Sequence, residues 1–195
     1  MLQFRKPVSE AIRRYIEAQS ALEFTYADIG ATANTPPVGF MVDHTRIELG
    51  KGEVLFQSAR AAFQQWKQFE LGWLEAWPTD TPIQTGETVA VLVRAFGLWW
   101  LNAARIVYVV DVTTESVTRF GFAYGTLPGH VEAGEERFRI EWDRASDRVY
   151  YDILAFSRPR HILTRMAKWQ VRRMQKRFRE DSAAAMLRAV RVIHR

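Results

Sequence analysis

From Leu71 to Phe156 one strand-like stretch follows another with no helical stretch between them, and from His161 to Arg195 the chain holds neither glycine nor proline. Few architectures accept that order. The alternation of apolar side chains predicts strands over Trp73–Trp77, Thr88–Phe96, Trp99–Asp111, Val117–Leu127, Glu135–Trp142 and Arg148–Phe156. The breaks between them are turn-like: Pro78 and Asp80, Gly97, Thr113-Thr114, Pro128-Gly129, and Asp143 to Asp147. Connections so short imply antiparallel neighbours. A sheet with one apolar face needs a cover, and a helix after Ser157 or Pro159, over about residues 159–193, is long enough to supply it.

Upstream, Ala11, Ile12, Tyr15, Ile16 and Leu22 recur with the spacing of an amphipathic helix over about residues 7–22, with Ser9 near its start. Phe24 to Pro37 reads as loop, because Asp28, Gly30, Asn34 and Pro36-Pro37 deny regular structure. Val38 to Leu49 alternates as a strand, with Met41, Ile47 and Leu49 in phase. Glu53 to Phe69 reads as a helix carrying Phe56, Ala59, Phe63 and Trp66 on one side. The expectation is an α+β domain of 195 residues. About seven antiparallel strands curve around a long C-terminal helix.

The stretch Phe120 to Phe138, FGFAYGTLPGHVEAGEERF, carries the densest polar cluster. Successive strand side chains point to opposite faces. Phe120, Phe122, Tyr124 and Thr126 therefore share one face, and Gly121, Ala123, Gly125 and Leu127 leave the other almost bare. That bare face leaves room for a helix, a close backbone or a bound molecule. After the Pro128-Gly129 turn, Glu136 falls in phase with Phe138, Ile140 and Trp142, while Glu135, Arg137, Arg139 and Glu141 point the other way. A carboxylate among apolar side chains is costly unless it is paired or protonated. Glu136 can anchor a ligand hydroxyl, act as a general acid or base, or pair structurally with an arginine such as Arg105.

Charge divides the chain unevenly: residues 158–195 hold 12 Lys and Arg against 2 acids, and the rest 15 against 20. Projected as a helix, Leu163, Ala167, Val171, Met174, Phe178, Ala185 and Val192 form an apolar stripe. Arg165, Lys168, Arg172, Lys176 and Arg179 gather opposite. Such a basic face either is solvated or attracts an anionic membrane or nucleic acid. With no cysteine, there is neither a disulfide framework nor thiol chemistry. No uncharged apolar run approaches the roughly 18 residues of a membrane span, and no apolar leader follows Arg5 and Lys6, so a soluble, cytoplasmic protein is expected. Gly50-Lys51-Gly52 lacks the remaining residues of a nucleotide loop. His130, Glu132 and Glu135 form a weak metal pattern, the other histidines lacking ligand spacing. Neither a cofactor nor a metal is expected.

The hairpin sequence, together with LGKGEVLFQSARAAFQQWKQFELGW and SRPRHILTRMAKWQVRRMQKRF, resembles an uncharacterised bacterial and plant family, a domain of unknown function, from about Phe24 to Val190. Family and element order alike resemble the START-like (SRPBCC, helix-grip) superfamily that includes the birch pollen allergen fold. The resemblance implies a cavity between the sheet and the C-terminal helix that accepts an apolar small molecule or lipid. It carries no catalytic residues across. Tyr26, Arg105, Phe122, Tyr124, His130, Glu136, Phe138 and Met174 are the candidates for contact with such a molecule. The alternative is a cofactor-free enzyme of the cyclase or hydrolase sort in the same cavity, with Glu136, Tyr124 or His130 moving the proton.

Overall fold

A computed structural model describes residues 2–160 and 168–192 of the chain. Its elements in order are β1 (Leu2–Gln3), α1 (Ser9–Ser20), β2 (Met41–Lys51), α2 (Glu53–Gln64), β3 (Leu74–Trp77), β4 (Thr88–Ala95), β5 (Leu98–Thr113), β6 (Val117–Thr126), β7 (Glu132–Asp143), β8 (Arg148–Pro159) and α3 (Lys168–Val192). Short 3₁₀ turns occupy Ala31–Ala33 and Lys67–Phe69. The strands form one antiparallel sheet in the order β2-β8-β7-β6-β5-β4-β3, with the two-residue β1 paired to the start of β5. The seven expected strands are all present. This is the helix-grip arrangement of a curved antiparallel sheet about a long C-terminal helix.

Alternation sets the concave face. Phe120, Phe122 and Tyr124 of β6, Phe138, Ile140 and Trp142 of β7, and Val149, Tyr151 and Ile153 of β8 all enter one core. Register shifts at Glu48/Gly50 in β2 and Ile106/Tyr108 in β5 interrupt the ladder; such bulges bend a strand and sharpen its twist. Two helices share the concave face. Phe63 of α2 packs edge-on against Phe120, Phe122 and Tyr151, and Phe56 lies beside Trp142. The long helix therefore covers only part of the sheet. Its second half is tied down by the Tyr151–Ser182 hydroxyl pair at 2.8 Å and buries Ala183, Met186 and Val190.

On the convex face α1 seals Ala90, Leu92 and Leu101 with Ile12. Residues 24–33 cross the bare face of β6, where Tyr26 and Phe24 lie so close to Gly125 that a Cβ would collide with both. Of the three occupants that bare face admits, the structure puts a chain segment at Gly125.

Two boundaries differ from expectation. Ser157 and Pro159 belong to β8, pairing with Gly134 and Glu132, so neither begins the helix. Proline is tolerated at such a strand end. The stretch from His161 to Ala167, with Leu163 and Arg165, lies outside the described residues. The helix expected to run to Phe69 stops at Gln64, since Trp66 takes a left-handed backbone (φ 55°) that turns its ring into the core. There its indole N–H donates to the Thr81 carbonyl at 2.8 Å. Among the described residues no helix is long and apolar enough to cross a membrane.

Candidate functional site

Between the concave sheet and the first half of α3 lies a cavity of about 610 Å³. Val91 and Val93 of β4, Trp100 of β5, and Val171, Met174 and Phe178 of α3 give it apolar walls. The polar side chains converge at the end formed by β2, β7 and α3, where Asp43, Glu132, Glu136, Gln175 and Arg179 line the same space.

Glu136 reaches this space because strand phase places it beside Phe138 and because β6 sets Tyr124 directly across from it. The Tyr124 hydroxyl donates to Glu136 Oε2 at 2.9 Å. Burial pushes the Glu136 carboxyl up to about 7, against the pull of the Tyr124 hydroxyl and of Arg179, while Glu132 and Asp43 add like charge. Burial likewise raises Tyr124 well above the usual phenol range. At neutral pH the pair is thus a neutral phenol beside a carboxyl near its own midpoint.

Glu132 is held from the helix. Gln175 Nε2 donates to both of its oxygens at 2.9 Å and to Ser157 Oγ at 3.1 Å. Burial raises the Glu132 carboxyl too. Asp43 receives both helix arginines, with Arg172 Nη2 and Arg179 Nη2 at 3.1 and 3.2 Å from Oδ1. His130 Nδ1 accepts the Glu132 backbone N–H at 3.1 Å, and burial lowers the imidazole to about 4, leaving it neutral.

Four of the eight contact candidates, Tyr124, His130, Glu136 and Met174, line the cavity. Phe122 and Phe138 sit fully buried in the core cluster. Tyr26 and Arg105 belong elsewhere. Tyr26 donates to Glu135 at 2.8 Å on the convex face. Arg105 donates to the Leu22 carbonyl and stacks over Phe24 at 4.8 Å. The cation near Glu136 is Arg179, because Arg105, facing Gly125 across β5 and β6, falls in the convex phase.

The basic face of the last helix also divides. Lys176 is exposed and pairs with Glu180 at 3.7 Å. Arg172 and Arg179, expected in solvent, turn instead to Asp43, because they flank the apolar stripe closely enough for their long side chains to reach the sheet. Arg165, and the side chain of Lys168, lie outside what is described. Among the described residues no group of three His, Asp or Glu is placed to hold a metal. The Glu135 carboxylate is bound instead to Tyr26 and Thr32, in the strand phase opposite to that of Glu132.

Sequence reading missed Asp43, Gln175 and the inward turn of Arg179 as parts of this end. Asp43 had a signal, since it lies in phase with Met41 and Ile47. Gln175, one turn from Arg172 and from Arg179, had only its helical spacing.

The family described as Domain of unknown function (DUF1990) matches residues 25–185. The chain belongs to this family. Among DUF1990-like relatives, a UPF0548 protein of Dictyostelium discoideum is 40% identical over 207 residues, covering 97% of this chain and 96% of its own. UPF0548 proteins of Arabidopsis thaliana and Deinococcus radiodurans are 34% and 33% identical, covering 78% and 97% of this chain and 74% and 98% of theirs. Of solved structures, human STARD10 superposes with a TM-score of 0.48 at 11% identity, over 95% of this chain and 80% of its own. Ara h 8.0201 superposes with 0.46 at 10%, over 76% and 99%. At those scores the architecture rests on the sheet and helices described above.

Proposed function

We propose that this DUF1990 protein is a binding module that holds an apolar or lipid-like small molecule between its sheet and α3. The observation that carries the reading is the cavity of about 610 Å³, with apolar walls along its length and hydrogen-bonding groups gathered at one end. Such a shape suits a small ligand with an apolar body and one polar group. Met174 lines the cavity from α3, so Met174→Trp fills space without touching the polar end. Wild-type protein is expected to take up Nile red saturably and to carry an apolar molecule visible in native mass spectra after gentle purification. Met174→Trp is expected to lose both while melting within about 1.5 kcal/mol of wild type. Absence of uptake by wild type, or uptake indifferent to the filled cavity, overturns the reading.

A second reading, proton-transfer catalysis of the cyclase or hydrolase sort without a cofactor, draws on the Glu136 carboxyl near 7, the range in which a general acid or base works best. It differs in one observable: the molecule recovered from the protein is then a product, chemically altered from the one supplied.

A further inference from the structure

With its carboxylates ionised, the polar end of the cavity carries more negative than positive charge, and its arginines are already engaged. Three carboxylates, Asp43, Glu132 and Glu136, meet two guanidiniums, Arg172 and Arg179, and both of these are directed at Asp43. Among the described residues the other two carboxylates receive only neutral donors: Glu136 the Tyr124 hydroxyl, and Glu132 the single Gln175 amide nitrogen. A carboxylate accepts about four hydrogen bonds, so each is left well short. Glu136 Oε1 has no hydrogen-bond donor among the described residues. His130, half-buried and neutral, adds no positive charge.

From this arrangement we infer that the site selects an apolar ligand bearing a protonated amine, which Glu136 and Glu132 hold beside the Asp43–arginine cluster. The inference rests on the cavity reading above and deepens it. An ammonium group brings three donors and a compensating charge, and charge-assisted hydrogen bonds to carboxylate are roughly twice as strong as neutral ones. A hydroxyl brings one donor and no charge. A fatty carboxylate meets two carboxylates of like sign and arginines committed to Asp43. Burial raises both glutamates against the pull of Arg172 and Arg179. The protein as a whole carries a net charge of +5, which by itself draws anions. A preference for a cation therefore has to come from this end of the cavity.

Octylamine, octanol and octanoate share one chain and differ only in the head, so their affinities at pH 8, by titration calorimetry and by Nile red displacement, test the choice. Octylamine is expected to bind at least tenfold tighter than octanoate and several-fold tighter than octanol. Glu136→Gln is expected to bring octylamine down to the level of octanol while weakening octanol far less, and Glu132→Gln to weaken octylamine in the same direction. Lowering the pH from 8 to 6 is expected to weaken octylamine alone. The ammonium stays charged throughout while Glu136 takes up a proton. The groups around Glu136 are Tyr124 from β6, Glu132 on β7, Asp43 from β2, Tyr151 from β8 and Arg179 from α3. Among these Glu136 rises to about 7, and burial raises Glu132 in the same direction. Octanoate binding as tightly as octylamine, or Glu136→Gln and Glu132→Gln both weakening all three probes alike, overturns the inference and leaves the cavity reading standing. If none of the three binds and wild type takes up no Nile red, both fall together.

Discussion

Glu136 has to be protonated or paired wherever burial strips it of water, and strand phase was enough to show that the problem exists. Its place among Phe138, Ile140 and Trp142 is a matter of counting by two along β7. The hairpin pairing also puts Tyr124 near it, and Tyr124 does stand opposite Glu136. The nearby cation was not legible, because that depends on register one strand further on: Arg105 stands opposite Gly125. Burial outweighs its hydrogen bond and the nearby Arg179, and the carboxyl rises from the ordinary 4.5 to about 7. A raised carboxyl binds a proton in the folded state where the unfolded chain has already lost it. Stability therefore falls as pH rises from about 4.5 to about 7 and is level above that. The loss is on the order of 3 kcal/mol. Glu136→Gln keeps the shape and the Tyr124 hydrogen bond while removing the titration. It is expected to melt with wild type near pH 5 and to exceed it at pH 8 by up to about 3 kcal/mol. Equal pH dependence of the two proteins would place Glu136 in water.

At the scale of elements, alternation separates the two faces of a strand and says nothing of what covers each. Glu135, Arg137, Arg139 and Glu141 of β7 read as an ordinary outward row, yet Glu135 is 2% and Asp152 of β8 1% exposed. Glu135 accepts hydrogen bonds from the Tyr26 hydroxyl, the Gly30 and Thr32 amides and the Thr32 hydroxyl. Arg137 bridges from there, donating to the Thr32 carbonyl at 2.6 Å and to Asp152 at 2.8 Å. His44 meets Asp152 at 2.7 Å, and Glu141 takes Arg46 and Arg119. These links fasten residues 24–33, β2 and β8 to β7. Most of them join residues about a hundred positions apart, which local spacing cannot reveal. Burial alone would raise Asp152, but the His44 and Arg137 hydrogen bonds and the charge of Arg139 outweigh it and hold the carboxyl below its usual range. Its contribution is present at neutral pH and is lost as pH falls below about 4. Asp152→Asn leaves Arg137 buried without its counter-charge and is expected to cost about 3–5 kcal/mol in urea unfolding at pH 7. That difference should shrink toward pH 3. A change under about 1 kcal/mol would mean that the network is solvated.

For the molecule as a whole, the order of elements predicted the architecture, but the division of labour along α3 had to be seen. The apolar stripe looked continuous, and the apolar side of α2, though plain in its spacing, did not say that it takes a share of the concave face. In the second half of the helix Ser182, Ala183, Ala185, Met186 and Val190 are buried against the core. The first half has no fully buried residue from Trp169 to Asp181, because the cavity lies where packing would otherwise be. Backbone protection follows buried contact. The amides of residues 170–180 are therefore expected to exchange with solvent faster than those of 183–190, although both belong to one uninterrupted helix. Filling the cavity supplies the missing contact and acts on one half only. A molecule that binds the closed form and not the opened one, at a free concentration a hundred times its Kd, stabilises the closed form by about 2.7 kcal/mol. Nile red at that level is thus expected to slow exchange over 170–180 by about a hundredfold and to leave 183–190 unmoved, by hydrogen exchange with mass spectrometry. Uniform protection along α3 without any probe, or equal slowing of both halves with it, would show that the helix opens as one unit and that the cavity does not set its local stability.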